Sequence, residues 1–117
     1  DIVFTAHGWE DFTYWLENNS DTAIKIQALL KEIKSNPFKG TGKPEPLKHG
    51  LKGFWSRRIT SEHRLIYKVS GEKGVTQKCT IIHAGFTMMI NRIQITHTTP
   101  YLISNIFLAW RNSGVLS

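Results

Sequence analysis

The hydrophobic period of the chain changes at Pro37: before it apolar residues recur every three or four positions, and after it every second position. Helical pattern first and strand pattern second restricts the chain to the α+β class. Ile2, Val3 and Phe4 form a short apolar strand, and Thr5 is placed to cap a helix whose Trp9, Phe12 and Leu16 make its buried face. Asn19, Ser20 or Asp21 can cap a second helix, with Ala23, Ile26, Leu30 and Ile33 as its apolar stripe and Pro37 as its stop. Residues 38–50 hold three glycines and two prolines and read as an irregular surface loop. Phe54 to Ile59, His63 to Ser70 and Val75 to Ile82 read as strands separated by short turns. In the second of these, His63, Leu65, Tyr67 and Val69 share one face, and Arg64, Ile66 and Lys68 share the other. The expected plan is β-α-α-β-β-β, two helices packed on a small antiparallel sheet.

A chain of 117 residues with six Phe, four Trp and three Tyr can bury one core without covalent staples, which excludes global disorder. One cysteine makes neither an intramolecular disulfide nor a Cys-based zinc cluster. Cys79, flanked by apolar residues, is expected in the core. The five histidines show no metal-ligand spacing, so no metal and no cofactor are expected. Gly40-Thr-Gly42-Lys43 is too short for a phosphate-binding loop of the nucleotide triphosphate type. No basic segment followed by an apolar run opens the chain, and the long uncharged stretch from Ile93 to Trp110 is broken by polar residues. A cytoplasmic protein without membrane attachment is therefore expected.

Charge is distributed unevenly. From Lys39 to Lys68 eight cations face only Glu45 and Glu62, a balance suited either to a polyanion or to a solvated basic surface. Glu45, between two prolines and near Lys43 and Lys48, can serve as a general base or be merely solvated. Arg64 alternates with apolar neighbours on its strand; with Arg58 it can clamp a phosphate, or it can pair with Glu62 or Glu72. Phe54 and Trp55 beside Arg57 and Arg58 suit base stacking, with at least one of the pair expected in the core.

Three closely spaced motifs narrow these alternatives: Gly42-Lys-Pro-Glu-Pro-Leu-Lys-His49, Gly53-Phe-Trp-Ser-Arg-Arg-Ile-Thr60 and Glu62-His-Arg-Leu-Ile-Tyr67, together with Trp9-Glu-Asp11 and Tyr14-Trp15. Over Ile2 to Ile82 the chain resembles the YoeB (Txe) toxins of the RelE superfamily. The resemblance implies a microbial-ribonuclease-like fold and a ribosome-dependent mRNA endonuclease of a type II toxin-antitoxin system, neutralised by a YefM-type antitoxin. It implies contact with operator DNA only through the antitoxin complex, and is compatible with a homodimer. It assigns Glu45 as general base, Arg64 and Lys48 as stabilisers of the extra negative charge, and Arg58, Arg57 and Lys43 as phosphate ligands. No metal is needed for attack by a ribose 2′-hydroxyl.

The resemblance fails at the end of the last strand. Such toxins close on Cys-Arg-Phe/Tyr-His-Tyr, the histidine acting as general acid, whereas this chain reads His83-Ala-Gly-Phe-Thr-Met88 and continues to Ser117. Thr87 and Met88 occupy the His and Tyr positions. Codons CAA TGC CGG TTT CAC TAT G, encoding Gln-Cys-Arg-Phe-His-Tyr, lose one A to become CAT GCC GGT TTC ACT ATG, which encodes His-Ala-Gly-Phe-Thr-Met. Residues 84–117 hold two arginines and no acid, whereas residues 1–83 hold the other 22 charged residues. The domain expectation is thus a toxin-like unit over 1–83 and a divergent extension over 84–117, irregular or forming a short helix. Loss of the acid leaves a second reading, a non-enzymatic module that binds antitoxin or ribosome. A general basic RNA-binding domain is a third.

Overall fold

A computed structural model describes residues 1–48 and 50–86; Thr87, Met88 and the remainder of the extension lie outside the described residues. Its elements are β1 (Ile2–Phe4), α1 (Ala6–Asn18), α2 (Ser20–Ser35), β2 (Glu45–Pro46), β3 (Phe54–Arg58), β4 (His63–Ser70) and β5 (Lys78–Phe86). The strands form one sheet in the order β1-β5-β4-β3-β2. Every neighbouring pair is antiparallel except β1 and β5, which run parallel, Ile2 opposite Cys79 and Phe4 opposite Ile81. Two helices on a five-stranded mixed sheet is the expected class with one reversed edge.

Local sequence fixes the helix ends. Thr5 Oγ1 accepts from Gly8 N at 3.0 Å, and Asn19 Oδ1 accepts from Thr22 N at 3.2 Å, so each helix starts on a side-chain cap. Asn36 ends α2 with its amide bonded to Glu32 O, one residue before Pro37. Packing then departs from the expected stripe on α1. Phe12 and Trp15 are buried, but Trp9 and Leu16 are 52% and 48% exposed. Gly8 explains the rotation: a Cβ there would sit 2.2 Å from Ile81 O, so its absence lets the helix approach β5 along the line of residues 8, 12 and 15. Trp15 Nε1 donates to Ala84 O at 2.9 Å on that line.

The core lies between sheet and helices, where Phe12, Trp15, Ile26, Ile33, Leu65 and Ile81 pack together; on α2, Leu29 takes the buried place expected of Leu30, which is partly buried. Cys79 is buried, as expected, and burial pushes its thiol up. Beyond that cluster Phe54 is also buried, whereas Trp55 is half-buried against Phe38 at 5.0 Å, so this pair is largely used in packing.

Three boundaries differ from expectation. The loop of residues 38–50 contains a two-residue edge strand, β2, ending on Pro46, a residue tolerated at an edge because it has no ladder donor to lose. Strand β5 begins at Lys78 rather than Val75, because the amides of Val75, Thr76 and Gln77 all turn back onto Glu72 O. It also runs past His83 to Phe86, so the sheet continues three residues beyond the change in composition. Ala84 N donates to Asp11 Oδ2 at 3.0 Å, which ties that continuation to α1. Among the described residues no helix is long and apolar enough to cross a membrane.

Candidate active site

Strand pairing assembles the site. Arg58 on β3 stands opposite Arg64 on β4, and Glu45 on β2 stands opposite Ser56 on β3. Side chains two apart on a strand share a face, so Ser56 and Arg58 look toward the same side as Arg64 and Glu45. Gly42, Lys43, Glu45, Ser56, Arg58 and Arg64 line one small cleft of about 70 Å³. A larger groove on the other side of Gly42 and Arg58 runs along α2, but it does not include Glu45 or Arg64.

Each wall has a local cause. Gly42 adopts φ 83°, and a Cβ there would lie 2.8 Å from Arg58 O, so only glycine fits while its own carbonyl accepts from Arg58 N at 2.6 Å. Lys43 follows at φ 49°, a left-handed conformation that costs a lysine about 1–2 kcal/mol and is typical of residues held for function. Leu47 N donates to Phe54 O at 2.9 Å, closing the strand that carries Glu45. Arg64 Nη1 donates to the carbonyls of Thr60 at 2.8 Å and His63 at 3.0 Å, which leaves the other face of its guanidinium for a ligand.

Burial, and after it the neighbouring charge of Arg58, pull the Arg64 guanidinium down from its ordinary value, while Glu45 pushes it back up. Arg64 nevertheless stays charged, since arginine is not deprotonated in proteins. A carboxylate flanked by two guanidinium groups and a lysine can accept a proton while the cations stabilise an added negative charge.

Not every residue expected here is present. Lys48 is exposed past the end of β2 and is not among the residues lining the cleft. Arg57, expected as a phosphate ligand, is fully buried instead. Its guanidinium donates to Tyr67 Oη and to backbone carbonyls, and alternation along β3 turns it away from Arg58. Ser56 was not anticipated; counting back two residues from Arg58 along a strand would have found it. Among the described residues no cluster of three or more His, Cys, Asp or Glu side chains is placed to hold a metal ion.

The family model of YoeB-like toxins of bacterial type II toxin-antitoxin systems matches residues 4–84. The chain belongs to this family. Toxin YoeB of Escherichia coli (strain K12) is 46% identical over 78 residues, 67% of this chain and 93% of that protein. The YoeB/ParE toxin from Agrobacterium tumefaciens superposes with a TM-score of 0.68 at 42% identity, covering 74% of this chain and 96% of that one. The Staphylococcus aureus YoeB dimer aligns with a TM-score of 0.65 at 38% identity, covering 74% of this chain and 94% of that one. In its YoeB-YefM heterotetramer the values are 0.64 and 38%, with the same coverage. The YoeB-family match ends at residue 84, one residue beyond the last charge-rich segment and two before β5 ends.

Proposed function

We propose that this YoeB-family toxin is a ribosome-dependent mRNA endonuclease that cleaves without a metal and acts in the cytoplasm. The observation that carries the reading is the single cleft in which the Glu45 carboxylate and the Arg58 and Arg64 guanidinium groups converge. In it Glu45 takes the proton from a ribose 2′-hydroxyl, whose oxygen attacks the adjacent phosphorus. Arg64, Arg58 and Lys43 stabilise the phosphorane as charge builds on its oxygens. The bond from phosphorus to the 5′-oxygen then breaks, giving a 2′,3′-cyclic phosphate and a 5′-hydroxyl. Lys48, close in sequence but outside the cleft, is left to approach the backbone of a bound RNA.

The departing 5′-oxygen needs a proton. Where such toxins place a histidine, this chain has Thr87, so water supplies the proton and cleavage by the chain as written is slow. The partner is a YefM-type antitoxin, as in the S. aureus complex, with operator DNA contacted only through that complex and self-association as in the S. aureus dimer. The Thr87-Met88 replacement favours a second reading, a toxin homologue that keeps antitoxin or ribosome binding and has lost cleavage.

Purified chain added to ribosomes programmed with mRNA tests the two readings. The endonuclease reading expects transcripts ending in a 2′,3′-cyclic phosphate, and no cut when the scissile nucleotide is a 2′-deoxynucleotide. Intact mRNA combined with full antitoxin binding establishes the second reading instead.

A further inference from the structure

The wall of the cleft that carries Lys43 and Glu45 is reached through residues 36–41, a segment with no strand or helix of its own. Its carbonyls converge on one buried side chain. Arg57 Nη2 donates to Asn36 O at 2.8 Å and Lys39 O at 2.9 Å, and Nη1 to Thr41 O at 3.3 Å. Nε donates to Tyr67 Oη at 3.0 Å, and that hydroxyl donates in turn to Pro37 O at 2.7 Å. Burial pushes the Tyr67 phenol up from 10.0, so it holds the proton that this bond needs. Glu32 closes the set from α2: its carboxylate lies 3.9 Å from Arg57 Nη1 and accepts from both the amide and the hydroxyl of Thr41.

Backbone carbonyls in a loop need partners once they are buried, and a planar five-donor fork meets several of them at once. Immediately after this clamp come Gly42, bonded to the Arg58 amide, then Lys43 in its left-handed conformation, then Glu45. The clamp therefore sets the height and direction at which the cleft wall starts.

We infer that Arg57 is a positioning residue: it pins residues 36–41 so that Lys43 and Glu45 face Arg58 and Arg64, and it does not itself touch RNA. The catalytic consequence rests on the endonuclease reading above, whereas the pinning stands on the bonds alone. A lysine has the charge but not the fork, so it can satisfy only part of the set. A misplacement on the order of 1 Å can cost about 10²-fold in rate.

The test uses the full chain with Arg57→Lys, Arg57→Met and Tyr67→Phe, read by amide hydrogen exchange and by ribosome-dependent cleavage. Tyr67→Phe removes the bridging hydroxyl while keeping its ring, so a folded variant remains if a substitution at Arg57 prevents folding. The expected result is faster exchange, by about tenfold, at the amides of Thr41 and Arg58, with parent-like protection between β4 and β5. In cleavage kcat falls with KM unchanged, and Arg57→Lys retains more activity than Arg57→Met. Parent-like exchange at Thr41 and Arg58 in folded variants overturns the inference. So does a raised KM with unaltered exchange, which would make Arg57 an RNA ligand. Faster exchange in a chain whose cleavage does not depend on Glu45 upholds the pinning and removes the endonuclease reading.

Discussion

Arg58 and Arg64 stand directly opposite each other on the β3–β4 ladder, two like charges in a cross-strand pair. Such a pair is destabilising by itself, on the order of a few tenths of a kcal/mol to 1 kcal/mol. The repulsion is visible in Arg64, whose guanidinium is pulled down by burial and by Arg58 and raised by Glu45 across the cleft. A phosphate bound between the two arginines would replace that repulsion with two attractions, which is the role the proposed mechanism gives the pair.

Arg64→Lys is expected to lower cleavage by about 10²–10³-fold, the usual loss when one donor to a developing oxyanion is removed. A lysine keeps the charge but cannot hold the carbonyls of Thr60 and His63 and present a second donor edge. Melting temperature should change little, because Arg64 is only partly buried and the loss of its carbonyl bonds is offset by relief of its repulsion with Arg58. Single-turnover rates beside thermal denaturation check both statements.

Thr87→His with Met88→Tyr, in a chain stopped after residue 88, is expected to raise cleavage by about 10²–10⁴-fold, the usual contribution of a positioned proton donor. The comparison is made on the same ribosomes with the unaltered chain. Equal rates would remove the lost-acid argument and, with it, the support that the expected one-base deletion draws from this site.

His83 lies buried with Nδ1 3.1 Å from Asp11 Oδ2, and burial lowers its pKa from 6.5 to about 4. The folded pKa is below the unfolded one, so the unfolded chain takes up the proton first as pH falls. Stability is therefore complete above about pH 6.5 and lost progressively toward pH 4, by roughly 1–3 kcal/mol. Denaturant titrations across that range should show the slope, and His83→Gln should flatten it. A parent chain equally stable at pH 4.5 and 7 would place a protonated imidazole beside Asp11 instead.

What the sequence made legible was local. Thr5 and Asn19 cap helices through residues three positions away, and β4 spans His63 to Ser70, a run of β-formers bounded by turns on both sides. The parallel pairing of β1 was not legible, since Thr5 meets Ile81 across 76 residues. Trp9 and Leu16 were misplaced because the contact line on α1 is set by a missing side chain at Gly8, a feature that hydrophobic spacing does not register. Arg57 and Arg58 illustrate the same limit at the site. As adjacent residues of one type they read alike, and only the carbonyls gathered by residues 36–41 decide which turns inward.

The decisive measurement is single-turnover cleavage of ribosome-bound mRNA by Glu45→Gln, made in the chain carrying Thr87→His and Met88→Tyr and stopped after residue 88, with antitoxin affinity measured on the same preparations. A base that acts only in the chemical step requires cleavage to fall by about 10²–10⁴-fold while antitoxin binding is unchanged. Cleavage at the rate of the Glu45 parent, or a loss of antitoxin binding that matches the loss of cleavage, would contradict the assignment of Glu45 as the general base.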